Sequence, residues 1–126
     1  MLAQTELKLL AYLQEHSEGS GQRIGLDPKP IAKDLRIGPE QLTKDSSALK
    51  GHSLAGVRGF RADPERLEAV KVSSIWLTGR GEDFLRQLEA DPGVGRPITV
   101  AMVMQMGGAL TDIAAKVLTE FLAQPR

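Results

Sequence analysis

The chain has 126 residues, 41% of them hydrophobic and 25% charged, with no cysteine and a formal net charge of zero. This describes one folded domain with a single core, and it excludes a disulfide framework and any thiolate metal site. Zero net charge argues against strong non-specific nucleic-acid binding, which needs a basic surface. The charge is unevenly spread, however. From Gln41 to Gly81 seven positive side chains stand against four negative ones, so that stretch carries +3 and the remainder −3. The opening MLAQTELKLLAYLQ has neither the basic start nor the continuous apolar stretch of a signal peptide. The longest uncharged run, Pro97–Thr111, is too short to span a bilayer and is interrupted by Gln105 and the pair Gly107–Gly108. The expectation is a cytoplasmic protein with no membrane association.

In chain order, Thr5 is placed to cap a first helix. Leu7, Leu10, Ala11 and Leu13 keep its period, Leu9 and Tyr12 widen its apolar stripe, and it ends near Ser17. A Gly-rich stretch follows over residues 19–25. Asp27–Pro28 is a cap followed by a proline and predicts a short second helix, with Ile31, Ala32 and Leu35 on its apolar face. Ile37–Gly38–Pro39 breaks it. Pro39–Glu40 opens a third helix with Leu42, Ser46 and Leu49 at helical spacing, ending near Gly51. Its remaining positions, Gln41, Thr43, Lys44, Ser47 and Lys50, are polar.

Two strand-like pieces come next, Leu54–Arg61 and Val70–Leu77. The second alternates imperfectly but is rich in β-branched residues and holds Trp76. The charged connection over residues 62–69 reads as a long loop or one helical turn. Thr78 is placed to cap a helix over Arg80–Ala90, and Asp91–Pro92–Gly93–Val94–Gly95 breaks the chain again. Pro97 at a first helical position predicts a helix over residues 98–106, although Ile, Thr and Val there also suit a strand. Ala109–Ala123 is a helix apolar over most of its circumference, with Asp112, Lys116 and Glu120 as its one polar stripe.

Three helices, a strand, a connection, a second strand and a helix make up the order of a winged helix-turn-helix domain. The letters that carry this resemblance are Leu77–Thr78, Gly81 and Phe84–Leu85. They match the Leu-Thr pair, the following glycine and the aromatic-Leu pair that close the second wing strand in many such domains. The physical sense is that Leu77 ends the strand in the core and Thr78 caps the helix. Gly81 lets that helix pass close to the sheet, and Phe84 packs beneath the third helix. More narrowly, the chain resembles an uncharacterised winged-helix family of bacteria and their phages, whose members end in a Gly-rich break and an apolar helix like GGALTDIAAKVLTEFL here. The expected fold class is mainly α with a small β-hairpin (α+β). A winged-helix domain would occupy residues 1–90, a linker 91–97, and a C-terminal helical oligomerisation extension 98–126.

The resemblance implies a DNA-binding transcriptional regulator. Its third helix enters the major groove of double-stranded DNA with Gln41, Thr43, Lys44, Ser47 and Lys50, and Arg58, Arg61 and Arg66 sit on the wing. Lysine and arginine would neutralise phosphates, and Gln41 is the candidate for a base edge. The plain alternative is a solvated helix face and a charged hairpin. The apolar tail helix is expected to form a homodimer through Leu110, Ile113, Val117, Phe121 and Leu122, because its stripe is too wide for a small monomer to cover. A second reading is a protein–protein interaction module on the same fold, an adaptor that ignores DNA. No catalytic constellation is assembled. His16 and His52 each sit at a helix end without metal-ligand spacing, Ser46–Ser47 has no recognisable base, and Gly19–Ser20–Gly21 and Gly79–Arg80–Gly81 lack the strand-loop-helix context of a phosphate cradle. The sequence therefore implies no enzyme, no metal and no cofactor.

Overall fold

The computed structural model describes residues 2–17, 25–61 and 70–124, without the side chains of 17, 60, 61 and 70–73. Its elements run α1 (Gln4–Ser17), α2 (Pro28–Leu35), α3 (Pro39–Gly51), β1 (Ala55–Arg61), β2 (Val70–Leu77), α4 (Gly79–Glu89), α5 (Val100–Met106) and α6 (Gly108–Ala123). Among the described residues the chain is mainly helical with one two-stranded antiparallel sheet, the α+β class expected. The connection at residues 62–69 and the Gly-rich stretch up to residue 24 lie outside the described residues.

The core is built around α1. Leu7, Leu9, Leu10, Ala11, Tyr12 and Leu13 are all buried. A helix that buries so much of its circumference needs cover on more than one side. It receives that cover from α2, α3 and β2, and also from α5 and α6. The Tyr12 hydroxyl donates to Asp34 Oδ2 at 2.7 Å and ties α1 to α2. Burial, and then that bond to the Asp34 carboxylate, push the Tyr12 phenol up to about 12.

Local chemistry explains the middle elements. The Asp27 carboxylate accepts from the Lys29 amide at 2.9 Å and starts α2, which ends at Arg36 in the left-handed conformation, φ 55°. In the hairpin, Ala55 faces Leu77, Val57 faces Ile75 and Arg58 faces Ser74, but Gly59 faces Val72. The pairing thus skips Ser73, an irregularity of the bulge kind. It accounts for the broken alternation of the second strand: Ile75 and Leu77 point into the core, whereas Ser74 and Trp76 are half-buried. Ile75 also exchanges backbone hydrogen bonds with Leu26, at 2.7 and 3.0 Å, so β2 is flanked on its other edge by a single residue from the approach to α2. No local signal marks that bridge.

The junction between β2 and α4 follows the expected chemistry. Thr78 Oγ1 accepts from the Gly81 amide at 3.0 Å and donates to the Ser53 carbonyl at 2.6 Å. Gly81 is buried, and a Cβ there would meet the Leu54 carbonyl oxygen and the Leu77 side chain. Phe84 is fully buried; its ring partner is Phe121 of α6, with centroids 5.8 Å apart and planes tilted by 60°.

The C-terminal third departs from expectation. The segment expected as helix over 98–106 does contain one, but α5 begins at Val100, capped by Thr99, whose hydroxyl accepts from the Met102 amide at 3.1 Å; Pro97 lies before the cap. Residues 91–97 form a folded turn in which Asp91 Oδ1 accepts from Gly93 N and the Asp91 carbonyl from Val94 N and Gly95 N. Ile98, Met102, Val103, Leu110, Ala114, Val117, Leu118 and Phe121 belong to the same continuous core as α1. The expectation of an uncovered tail helix is therefore corrected: Leu110, Val117 and Phe121 are buried within the chain, Ile113 is half-buried, and only Leu122 is exposed, at 42%. Physically, the wide stripes of α1 and α6 are two halves of one buried surface.

Glycine in a helix ordinarily costs about 1 kcal/mol relative to alanine. At Gly81 the sign is expected to reverse, because the added methyl must displace the Leu54 backbone. Gly81→Ala should destabilise the chain by about 3 kcal/mol, read as a lower urea midpoint at unchanged slope. A midpoint equal to or above the parent's would show that the approach of α4 to Leu54 does not constrain this fold.

Candidate nucleic-acid interface

α3 buries Leu42, Asp45, Ser46 and Leu49 and exposes Gln41, Lys44, Ser47 and Lys50, while Thr43 is half-buried. Leucines 42 and 49 thus anchor the helix, and lysines 44 and 50 face solvent. The polar residues differ in what they have left to offer. Gln41 Nε2 donates to Asp45 Oδ1 at 2.8 Å, and the Thr43 hydroxyl bonds back to the Pro39 carbonyl at 2.9 Å. Both are engaged within α3. Lys44, Ser47 and Lys50 make no side-chain hydrogen bond or ion pair among the described residues. A base-reading role for Gln41 therefore requires it to release Asp45 or to work through its free amide valences.

Arg58 is exposed on β1 opposite Ser74, next to half-buried Trp76. The ring of Trp76 lies against Gly56, where a Cβ would strike the indole. The Arg61 backbone closes β1, but its side chain, and Arg66 altogether, lie outside what the structure describes. The hairpin packs against α3, so Arg58 and the α3 lysines are carried by contiguous elements.

Sequence reasoning missed two features. The first is the set of exposed cations before α3: Lys29 and Lys33 on α2, and Arg36 in the turn. With Lys44 and Lys50 they outnumber the exposed acids of the same unit, Asp27, Asp34 and Glu40. Arg86 pairs with Asp83, at 3.1 Å, and with Glu82, at 3.9 Å. Lys29, Lys33, Arg36, Lys44 and Lys50 have no carboxylate partner among the described residues. The signal was present in the short second helix, which buries only Ile31 and Leu35.

The second feature is a carboxylate beneath α3. Asp45 is 2% exposed, and its Oδ2 is buried without a hydrogen-bond partner. Glu6 of α1 approaches from below, with its own Oε2 in the same condition. Desolvation first, and then the Asp45 charge, raise the Glu6 carboxyl above its ordinary value; the bond to the Ala3 backbone opposes this. Position 45 falls between 42 and 49 on one helical face, so the spacing that marked the leucines also marked this aspartate as inward.

His16 and His52 take structural places. His16 Nδ1 lies 2.9 Å from the Tyr12 carbonyl and its ring stacks on Tyr12 at 3.9 Å, while His52 closes the end of α3. No group of three or more His, Asp or Glu residues is disposed to hold a metal ion among the described residues. No helix among the described residues is long and apolar enough to cross a membrane. No family model matches the chain, and neither does any curated protein or solved structure.

Glu6 provides a test of the electrostatics under α3. Its folded-state carboxyl holds a proton to higher pH than in the unfolded chain. Its contribution to stability is therefore complete below the ordinary carboxylate range and is lost as pH rises through the folded value. Glu6→Gln cannot ionise and keeps an acceptor for the Ala3 amide. It should raise the melting temperature near neutral pH, by an increment that shrinks on acidification. A variant that melts below the parent at neutral pH would contradict this account.

Proposed function

We propose that this protein is a winged helix-turn-helix DNA-binding regulator, with α3 entering the major groove and the β1–β2 hairpin lying against the phosphate backbone. The observation that carries the reading is the division of α3. Its leucines are buried as it packs on α1 and the sheet, while Lys44, Ser47 and Lys50 stand outward with no side-chain partner among the described residues. Phosphate contacts fix the register of such a helix, and Lys44, Lys50, Lys29, Lys33, Arg36 and Arg58 supply cations for them. The neutral total charge predicts weak binding to DNA of unrelated sequence. The dimer expected through Leu110, Ile113, Val117, Phe121 and Leu122 forms no part of the proposal, since those side chains are largely covered by their own chain.

A second reading, a protein-interaction module on the same fold, is favoured by the exposure of Met104, at 63%, and Leu122. The two separate in one measurement. Fluorescence anisotropy with mixed duplex DNA at about 50 mM salt should show binding that weakens as salt rises. Lys44→Ala and Lys50→Ala together should reduce the slope of log affinity against log salt by about two. Absence of binding at low salt, or an unchanged slope in the double variant, would leave the interaction module as the better account.

A further inference from the structure

Gln41 and Asp45 stand one helical turn apart on α3, so their side chains are neighbours along the helix. The glutamine is exposed, whereas the aspartate is 2% exposed. Gln41 Nε2 donates to Asp45 Oδ1 at 2.8 Å. That bond sets an orientation as well as a position. A glutamine amide has a donor end and an acceptor end, and in water it turns over to present either, but a carboxylate only accepts. Turning the Gln41 amide over would set Oε1 against Asp45 and leave Oδ1 without its donor. Asp45 Oδ2 is already buried with no hydrogen-bond partner. A second unpaired oxygen on a carboxylate that water barely reaches would cost its full desolvation penalty. The donor end of Gln41 is therefore held toward Asp45.

The remaining valences follow from the amide itself. Nε2 carries two protons and Asp45 takes one, so Gln41 has one N–H and the acceptor Oε1 left to offer. In the major groove adenine asks for that combination, a donor for N7 and an acceptor for the N6 amine. Guanine presents two acceptors there, N7 and O6, and a two-point contact with it needs two donors. Thymine O4 and the cytosine N4 amine each allow a single bond. Gln41 is also the third residue of α3, in the first turn, and the N-terminal residues of a recognition helix are the ones that meet base edges.

We infer, on the DNA-binding reading of α3, that Gln41 reads an adenine and that Asp45 is the buried positioning residue that makes it selective. Asp45 touches no base. It holds back the second amide proton, without which guanine cannot be met at both atoms.

The experiment is the selection of binding sites by the full chain from a randomised duplex library at about 50 mM salt, read by sequencing. The parent is expected to enrich sites with one position at which adenine is preferred to guanine by about tenfold. Gln41→Ala changes an exposed side chain and should erase the preference at that position alone. Asp45→Asn keeps the shape but presents either an oxygen or an amine, so the Gln41 amide can turn and guanine should be admitted at that position while the others keep their preferences. A purely structural Asp45 would weaken every position alike. If Asp45→Asn melts well below the parent, the side-chain NMR spectrum of the parent decides: one Nε2 proton of Gln41, and not its twin, should be protected from solvent exchange. A library that yields no enriched site would remove the DNA reading and this assignment with it. An enriched site with no adenine preference that Gln41→Ala erases, or one whose ratio survives Asp45→Asn, would overturn the assignment and leave DNA binding standing. Two Nε2 protons exchanging alike would overturn it as well.

Discussion

The turn from α3 into β1 is where this structure is fastened. Ser53 and Leu54 bond back to the last turn of α3 through the Lys50 and Leu49 carbonyls. Thr78 arrives from β2, donating its amide to the Leu54 carbonyl and its hydroxyl to the Ser53 carbonyl, and then caps α4 through the Gly81 amide. One threonine therefore links the end of the exposed helix, both ends of the hairpin and the start of the helix that supports them. The glycine three residues on permits this geometry, because the Leu54 carbonyl oxygen occupies the place of its missing methyl. The junction and the packing of α3 on α1 and β1 together set the orientation of α3 relative to the hairpin.

Around that fastening the core closes on both sides of α1. A helix with Leu7, Leu9, Leu10, Ala11, Tyr12 and Leu13 buried has no solvated flank along its middle. The surface that α2, α3 and β2 leave open is taken by α5 and α6. Deleting the C-terminal third would therefore expose the back of α1 and remove Phe121 from Phe84 and Arg80. The same closure stacks Arg80 of α4 on Phe121 of α6, on elements other than the α3 face.

The face of α3 is shaped by what lies beneath it. Asp45 holds Gln41 from inside the helix and faces the Glu6 carboxyl across the α1 contact. An acidic pair under a helix with outward lysines offsets part of their field, which accords with a chain whose formal charge is zero. Lys44 and Lys50 are the exposed cations of α3, and Lys29, Lys33 and Arg36 extend the positive surface toward α2.

Local signals determined much of this from sequence alone. Asp27–Pro28, Pro39, Thr78 and Gly81 act through bonds and contacts with near neighbours or through steric limits on the backbone, so each could be read from a few letters. The period of α3 placed Leu42 and Leu49 inward for the same reason. Tertiary structure decided the matters that depend on partners remote in the chain. The bridge from Leu26 to Ile75, the pairing of Phe84 with Phe121 and the burial of Asp45 beside Glu6 join segments that no spacing relates. Whether the apolar stripe of α6 met its own chain or another was undecidable from the stripe. Hydrophobic burial is non-directional, and it records how much surface must be covered but not by what.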